Sequence, residues 1–265
     1  MTAIAVTIAG SDSGGGAGIQ ADLKTFSALG VYGASVITAL TAQNTRGVTA
    51  IHDVPADFVT AQIDAVFSDL AVDAVKIGML SQPAVIAAVA AGLDRYRQLN
   101  VVLDPVMVAT SGDRLIAGDA IAVLREQLMP RALLVTPNMP EAAALLDAPL
   151  AETEDDIRRQ AERLLAFGSK AVLIKGGHGH GPESVDILVT ATEQVRLIAG
   201  RIATRNTHGT GCTLSSAIAA GLAKGETLDA AVRGAKAYLT AALTAADTLT
   251  IGSGSGPVHH FHRWW

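Results

Sequence analysis

The sequence predicts a three-layer α/β/α sandwich with a mostly parallel central sheet and no separate lid domain. Short apolar runs rich in β-branched residues alternate with longer stretches of helical period along the whole chain. Several runs contain no polar residue, which is typical of parallel strands buried on both faces. No stretch among the 265 residues is long enough to act as a linker, so residues 1–265 are predicted to form one domain.

The elements of the first half follow one another in this alternating order. A strand over 4–9 ends at the glycine-rich turn 14–18, and a helix over 19–29 follows and ends at Gly30. Apolar residues at i, i+4 and i+8 spacing predict a helix over 58–70. The next predicted elements are a strand at 75–77, a helix at 85–93 and strands at 101–103 and 133–135.

The second half continues the pattern and adds a hairpin. Pro137 and Pro140 bracket a turn into a helix that starts at Glu141, and Gly168 is placed to cap the helix before it. The remaining predictions are a helix at 157–167, a strand at 171–174, a hairpin at 185–190 and 194–198, and alanine-rich helices at 211–223 and 228–246.

Composition excludes several classes of function. A formal net charge of −5 and an aromatic content of 4% argue against nucleic-acid binding, which needs a basic surface and stacking side chains. The single cysteine, Cys212, excludes an intrachain disulfide framework. No signal peptide and no apolar stretch of about 18 residues is present, so we expect a cytoplasmic protein that does not associate with a membrane.

Polar and glycine-rich clusters follow the predicted strands at the point where each one ends. They come after Ala9, Ile77, Leu103, Val135 and Ile174. Ligands of parallel α/β sheets bind beyond the carboxyl ends of the strands, so these clusters are expected to border one binding site.

The segment 206–212 carries the strongest chemical signal. Gly209 and Gly211 flank Thr210 immediately before a long helix. Backbone amides in such a turn converge on one point, and the positive end of the helix adds to their field, which suits a phosphoryl group in transfer. The alternative is an ordinary glycine turn that caps the helix.

Cys212 lies in the first turn of the same helix. The helix terminus is expected to lower the pKa of its thiol, which could then take the proton of an acceptor hydroxyl. The alternative is a buried cysteine that packs as a small apolar side chain.

The glycine run 14–18 does not match a dinucleotide fingerprint. Position 19, where the third glycine would fall, is Ile19, and no acidic residue ends a second strand at the expected distance. A GxxxxGK[ST] loop is also missing from the sequence, which argues against a Rossmann oxidoreductase and against a P-loop enzyme.

A set of motifs spread along the chain resembles the hydroxymethylpyrimidine/phosphomethylpyrimidine kinases of the ribokinase-like superfamily. In order, they are 9–12, 15–25, 42–45, 76–80, 103–107, 136–141, 175–178, 206–212 and 256–261. One departure is Asp12-Ser13-Gly14, where the family usually has Asp-Pro-Ser, and it is expected to loosen the loop over the substrate.

The resemblance implies an ATP-dependent kinase of thiamine biosynthesis that acts on a hydroxymethylated pyrimidine and then on its monophosphate. Asp22 and Gln43 would hydrogen-bond the aminopyrimidine, Gly10 would leave room for the ring, and Met79 and Val106 would form apolar walls. Core packing is the alternative for Met79 and Val106. Cys212 and the Gly209–Gly211 turn would act in the transfer itself.

The resemblance also assigns a nucleotide and metal site. Lys175 would neutralise ATP phosphates together with Thr207, Gly209 and Gly211. The oxygen ligands implied for Mg²⁺ come from Asn138 and Glu141, with Asp104 in the outer shell. Alternatively, Glu141 only stabilises the start of its helix, and Lys175 is a surface lysine.

A homodimer is also implied, and pyridoxal kinase is the nearest alternative because it shares the fold and the GTGC element. Gln43 and the 15–25 motif favour the pyrimidine. His178 and His180 are interpreted as exposed loop residues, and the histidines of 259–262 as a packed C-terminal segment rather than a metal site.

Overall fold

The computed structural model describes residues 1–107, 115, 118–177 and 181–265, so the two loop residues His178 and His180 lie outside the described part. Nine strands in this part form one sheet in the order β3-β2-β1-β4-β5-β6-β7-β8-β9. Their bounds are β1 Ile4–Asp12, β2 Tyr32–Asn44, β3 Gly47–Asp53, β4 Ala74–Ile77, β5 Val101–Leu103, β6 Leu134–Val135, β7 Ala171–Ile174, β8 Glu183–Thr190 and β9 Gln194–Gly200.

In the middle of the sheet, the neighbouring strands β2, β1, β4, β5, β6 and β7 run parallel to one another. The pairs at the two edges are antiparallel: β3 pairs with β2, β8 with β7, and β9 with β8. The helices are α1 Gly18–Ala28, α2 Ala56–Phe67, α3 Pro83–Arg95, α4 Ala120–Val123, α5 Met139–Leu146, α6 Glu154–Leu165, α7 Thr210–Ala223 and α8 Leu228–Thr244. After α4 the chain forms a π-helical turn, Leu124–Leu128, and a 3₁₀ turn, Met129–Arg131.

Helices cover both faces of the sheet. Successive residues of a strand point to opposite faces, and in the central strands apolar side chains are buried on both faces. Val75 and Ile77 of β4 belong to one core cluster with residues of α2 to α6. Ala74 of β4 and Val102 of β5 belong to a second cluster with residues of α1, α7 and α8. The three-layer arrangement and the mostly parallel sheet agree with the prediction.

The hairpin formed by β2 and β3 is the main element that the sequence analysis did not predict. β2 is 13 residues long, and its buried and exposed positions do not alternate regularly. One cause is a register shift against β1: Ala9 pairs with Ile37 but Ser11 pairs with Leu40, so β2 has one extra residue there and its side chains change faces. The other missed element is the short helix α4.

The carboxyl ends of β1, β4, β5, β6 and β7 meet at one edge of the sheet, since parallel strands all point the same way. The N-terminus of α7 approaches this edge from the side of the second core cluster. The hairpin of β2 and β3 extends beyond the first strand and adds Thr41 and Gln43 to the same region. This edge therefore collects the segments that the sequence analysis singled out.

Candidate active site

A cavity of about 680 Å³ opens at the carboxyl edge of the sheet. All but one of the predicted site residues border it. The cavity thus brings together segments that are more than 200 positions apart in the chain. The bordering residues are Gly10, Gln43, Met79, Asp104, Val106, Asn138, Glu141, Lys175, Thr207, Gly209, Thr210, Gly211 and Cys212. The exception is Asp22.

The turn before α7 has the conformation of an anion-binding turn. Gly209, its N-cap residue, has φ +80°, and α7 begins at Thr210 with no side chain capping its first amides. A Cβ on Gly209 would lie 2.0 Å from the carbonyl oxygen of Gly16, so only glycine fits there. The Thr210 amide donates to the Thr207 carbonyl oxygen at 3.3 Å. Gly209 and Gly211 on either side of it border the cavity at the positive helix end, which favours an anion there.

Lys175 faces this turn from the end of β7. A Cβ on Gly211 would lie 3.2 Å from Lys175 Nζ, so the ammonium group is close to the amides of the turn. Lys175 Nζ donates to Asp104 Oδ1 at 2.7 Å and lies 3.8 Å from Glu141 Oε2. The edge thus combines one cation, two carboxyl groups and a set of backbone donors.

The charges of Asp104, Lys175 and Glu141 depend on one another. Burial favours the neutral acid, yet the ammonium groups of Lys175 and Lys76 lower the pKa of Asp104 below its usual range. Burial disfavours a charged lysine, but Asp104 and Glu141 raise the pKa of Lys175 above its usual range. Burial raises the pKa of Glu141 to about 7, against the opposing charge of Lys175. Asp104 and Lys175 are therefore an ion pair, and Glu141 is poised to change its charge near neutral pH.

Asn138 and Glu141 also have a structural role. Asn138 Oδ1 accepts from the Glu141 amide at 2.8 Å, and Glu141 Oε2 accepts from the Asn138 amide at 2.7 Å. This capping box begins α5, as the alternative interpretation of Glu141 holds. Both residues nevertheless border the cavity beside Lys175.

The donors in this corner fit a magnesium ion. Mg²⁺ prefers oxygen ligands, binds few protein carboxylates and keeps several waters. Asp104, Asn138 and Glu141 offer such oxygens beside Lys175, and Glu141, with a pKa of about 7, can become a carboxylate when a cation binds. In the described part of the chain, no group of three or more His, Cys, Asp or Glu side chains that could hold a metal ion is found.

The opposite end of the cavity is mostly apolar. Met79 packs with Ala39 and Leu115, and Val106 contacts this small cluster. A Cβ on Gly10 would lie 3.0 Å from Met79 Sδ, so glycine keeps this end open. Met79 and Val106 thus both pack against neighbours and line the cavity.

Gln43 brings an amide to this apolar end. Its Oε1 accepts from Thr41 Oγ1 at 3.0 Å. Ser13, within the departure from the family motif, donates to the Gln43 carbonyl oxygen and accepts from the Gln43 amide, each at 2.8 Å. The sequence analysis expected a looser loop here, but Ser13 ties the loop to β2.

Asp22 needs a correction, because it does not line the cavity. It has no exposed surface, and its oxygens accept from Thr7 Oγ1 at 2.6 Å, Ser216 Oγ at 2.6 Å and Lys76 Nζ at 2.9 Å. A carboxylate occupied by three donors behind the wall of the cavity is not available to a pyrimidine. Asp22 instead holds the ammonium group of Lys76, which does border the cavity.

The predicted effect on the thiol of Cys212 is also corrected. Burial raises the pKa of Cys212 to about 11, although the charge of Lys76 acts in the opposite direction. The carboxylates of Asp22 and Asp104 raise it further. Burial and two anions outweigh the helix terminus, so Cys212 is a neutral thiol at pH 7.

Sequence reasoning missed several polar residues that border the cavity, among them Asp12, Lys76 and His208. Each of these three lies within a motif that resembles the family, but none had a pattern of its own that indicated a role. For Lys76 the available signal was a lysine between two apolar residues of a predicted strand, Val75 and Ile77; in the structure it has no exposed surface. Asp12 and His208 are 196 positions apart and meet only in the folded chain.

The cavity extends from Lys175 toward the α8 side, where a second region is bordered by Arg201, Lys236 and Thr240 as well as by apolar side chains. Its walls come from the end of β9 and from α8, with Ile202, Leu239 and Leu243 as the large apolar side chains. Beside it, Asp186 accepts from Lys236 Nζ at 2.7 Å and from the Gly176 amide at 2.9 Å. The anion-binding turn, the apolar end that contains Gln43 and this region of α8 therefore border one cavity.

Comparison with known proteins agrees with this geometry. The family model described as phosphomethylpyrimidine kinase matches residues 12–259. A hydroxymethylpyrimidine/phosphomethylpyrimidine kinase of Rhizobium meliloti is 66% identical over 265 residues, which cover 100% of this chain and 99% of that protein.

Solved structures show the same fold. Phosphomethylpyrimidine kinase from Clostridium difficile 630 is 46% identical with a TM-score of 0.80 and covers 89% of this chain and 97% of its own. An ADP complex of Bacillus subtilis pyridoxal kinase is 36% identical with a TM-score of 0.90 and covers 98% of each chain. The predicted ribokinase-like fold is confirmed, and the chain belongs to the phosphomethylpyrimidine kinase family.

Proposed function

We propose that the protein transfers the γ-phosphate of ATP to the exocyclic hydroxyl of 4-amino-5-hydroxymethyl-2-methylpyrimidine, and then phosphorylates the monophosphate to the diphosphate. The observation that carries the proposal is that the anion-binding turn at Gly209–Gly211 borders the same cavity as two other groups of residues. One forms an apolar chamber that contains Gln43, and the other forms a second chamber lined by α8. An acceptor alcohol and a phosphoryl donor can meet at the turn in line.

The pyrimidine occupies the chamber of Gly10, Gln43, Met79 and Val106. An amide can both donate and accept, which matches the amino group and ring nitrogens of the substrate. The apolar side chains pack on the methylated ring, and Gly10 leaves the room that the ring needs. Asp22 supports this chamber from behind through Lys76 rather than by contact.

ATP occupies the second chamber, which α8 lines, with its phosphates toward Lys175. Lys175 and the amides of Gly209, Thr210 and Gly211 stabilise the negative charge of the group in transfer, and Thr207 borders the same phosphates. Asn138 and Glu141 hold Mg²⁺ with Asp104 in its outer shell, and the ion supplies positive charge to the phosphate oxygens when bound. Positioning and electrostatics thus provide most of the catalysis.

Cys212 lies where the acceptor hydroxyl is expected. Its thiol is neutral at pH 7, so in the free protein it can donate a hydrogen bond to a substrate oxygen. A loose transition state requires little proton removal early in the transfer, which is compatible with a weakly basic group at this position. We assign the role of receiving the proton late in the step to the thiolate form of Cys212, which is a small fraction of the protein at pH 7 and grows with pH.

A second candidate activity is the phosphorylation of pyridoxal, because a pyridoxal kinase covers 98% of this chain at 36% identity. Steady-state kinetics with MgATP separate the two. We expect kcat/KM for the hydroxymethylpyrimidine to exceed that for pyridoxal by at least about tenfold, since a site built to hydrogen-bond one ring discriminates against another. A preference for pyridoxal would reverse the substrate assignment, and no turnover of either would refute the kinase.

The proposal includes a homodimer in the cytoplasm and a single domain over residues 1–265. Leu40 and Ile51 are exposed apolar residues on the β2–β3 hairpin, at an edge of the sheet where a second copy could pack. Sedimentation equilibrium tests the oligomeric state. In the part of the chain that the structure describes, no helix is long and apolar enough to cross a membrane.

A further inference from the structure

Asp12 lies at the end of β1 and collects four hydrogen-bond donors. Its Oδ1 accepts from the Gly14 amide at 2.8 Å, and its Oδ2 accepts from the amides of Gly16 at 3.0 Å and Ala17 at 2.8 Å. The fourth donor is His208 Nε2, 2.8 Å from Oδ2. Only 2% of Asp12 and 7% of His208 is exposed, so water does not compete for these bonds.

The carboxylate fixes the tautomer of the histidine. Burial alone would raise the pKa of Asp12, but the hydrogen bonds from His208 and from the backbone lower it below its usual range. The side chain is therefore ionised and can only accept, so His208 Nε2 carries a hydrogen and donates it. A charged acceptor makes this a strong hydrogen bond in a site with little access to water.

The backbone of the two segments is in contact at the same place. A Cβ on Gly16 would lie 2.4 Å from His208 Cδ2, and a Cβ on Gly209 would lie 2.0 Å from the Gly16 carbonyl oxygen. His208 is also fixed from its other side, since its amide donates to the Gly256 carbonyl oxygen at 3.0 Å. The glycine-rich loop and the anion-binding turn therefore have no space to slide independently.

These two segments serve different substrates under the proposed function. The loop, residues 13–17, holds Gln43 through Ser13 at the pyrimidine chamber. The turn that begins one residue after His208 offers its amides to the phosphoryl group. The relative position of the two ligands thus depends on how the loop is attached to the turn.

We propose that the hydrogen bond between His208 and Asp12 locks the glycine-rich loop to the anion-binding turn, and that His208 is thereby a positioning residue for phosphoryl transfer. The inference rests on the proposed function, since it takes the loop as the pyrimidine side and the turn as the phosphate side. A displacement of about 1 Å between reacting groups can cost a hundredfold in rate, so a lock of this kind acts mainly on kcat.

Three variants test the lock. His208→Phe keeps a planar ring of similar size but removes the donor, whereas His208→Gln retains an N–H donor near the position of Nε2. His52→Phe is the matched control, because His52 is exposed on β3 and does not border the cavity. We expect kcat to fall about tenfold to a hundredfold in His208→Phe, with KM for ATP changed less than about threefold. His208→Gln should recover most of kcat, and His52→Phe should behave as wild type.

Hydrogen exchange provides a second readout that does not need turnover. The amides of Gly14, Gly16 and Ala17 should exchange faster in His208→Phe than in wild type or His208→Gln. If His208→Phe does not fold, Asp12→Asn weakens the same bond from the other side and is measured in its place. Wild-type kcat in His208→Phe, equal losses in His208→Gln and His208→Phe, or unchanged exchange would overturn the lock. An inactive wild type would instead refute the proposed function, and the exchange data would still decide on the lock.

Discussion

Lys76 and Asp22 form an ion pair whose side chains have no exposed surface. Burial disfavours a charged lysine, but the carboxylate of Asp22 raises the pKa of Lys76 above its usual range, so the charge is retained. Removing one partner of such a pair leaves the other as an unpaired buried charge. The pair therefore constrains both the stability of the protein and the field at the cavity.

Lys76→Met should lower the free energy of unfolding by about 3–5 kcal/mol, because Asp22 would keep its charge without a cation. Lys224→Met is the control, since Lys224 pairs with Glu226 on the surface, where their side chains are 37% and 38% exposed. This variant should change the free energy of unfolding by less than about 1 kcal/mol. Urea denaturation measures both. Equal losses of unfolding free energy in the two variants would contradict the idea that burial makes the Lys76–Asp22 pair more costly to break than a surface pair.

The raised pKa of Cys212 gives a prediction for the pH dependence of turnover. If the thiolate accepts the proton, its fraction grows about tenfold per pH unit up to a pKa of about 11, so wild-type kcat should rise between pH 7 and 10. Cys212→Ala should be slower and show no such rise. Parallel pH profiles of the two proteins would remove the thiol from proton transfer.

At the scale of single residues, the sequence predicted which residues border the site better than it predicted their pKa values and hydrogen-bond partners. The motifs placed Cys212 and Lys175 at strand and helix ends that do meet at the cavity. They could not give the pKa of Cys212, because it depends on burial and on the charges of Lys76, Asp22 and Asp104, which lie far from it in the sequence. Asp22 was misplaced for a similar reason, since only the fold shows that Thr7, Lys76 and Ser216 occupy it.

At the scale of elements, α7 depends on the conformation of its N-cap. Gly209→Ala should lower kcat at least about tenfold, because φ +80° disfavours an L side chain and the new Cβ would collide with the Gly16 carbonyl oxygen. Gly234→Ala, in the exposed middle of α8 with no atom within 4 Å of the new Cβ, should be neutral or stabilise by about 0.5–1 kcal/mol. Steady-state assays and thermal unfolding of both variants test this; normal turnover in Gly209→Ala would show that the turn tolerates displacement.

The parallel core of the sheet could be predicted because its strands carry a clear local signal. β5 and β7 are short apolar runs followed at once by a charged residue, and β4, which is apolar apart from Lys76, is followed at once by Gly78. β2 lacks this signal, since it runs through Ser35, Thr38 and Thr41 and changes register near its end. Its place beside β1 is set by tertiary pairing rather than by local preference.

At the scale of the whole molecule, binding of both substrates should stabilise the folded chain by mass action. A ligand present at 100 times its Kd adds about 2.7 kcal/mol, which is expected to raise Tm by about 5 °C or more. The hydroxymethylpyrimidine with a non-hydrolysable ATP analogue should produce this shift in a thermal scan. NAD, whose glycine fingerprint the chain lacks, should shift Tm by less than about 1 °C, and a larger shift with NAD would contradict the assigned nucleotide chamber.

The distribution of helices divides the molecule into a half that meets ligands and a half that supports the sheet. Among the described residues, α2 and α3 contribute to the first core cluster but none of their side chains borders the cavity. Their outer faces carry exposed alanines: Ala61, Ala65, Ala87 and Ala91. A fluorophore or a surface tether attached there would leave both chambers open, so immobilised protein should keep its full turnover.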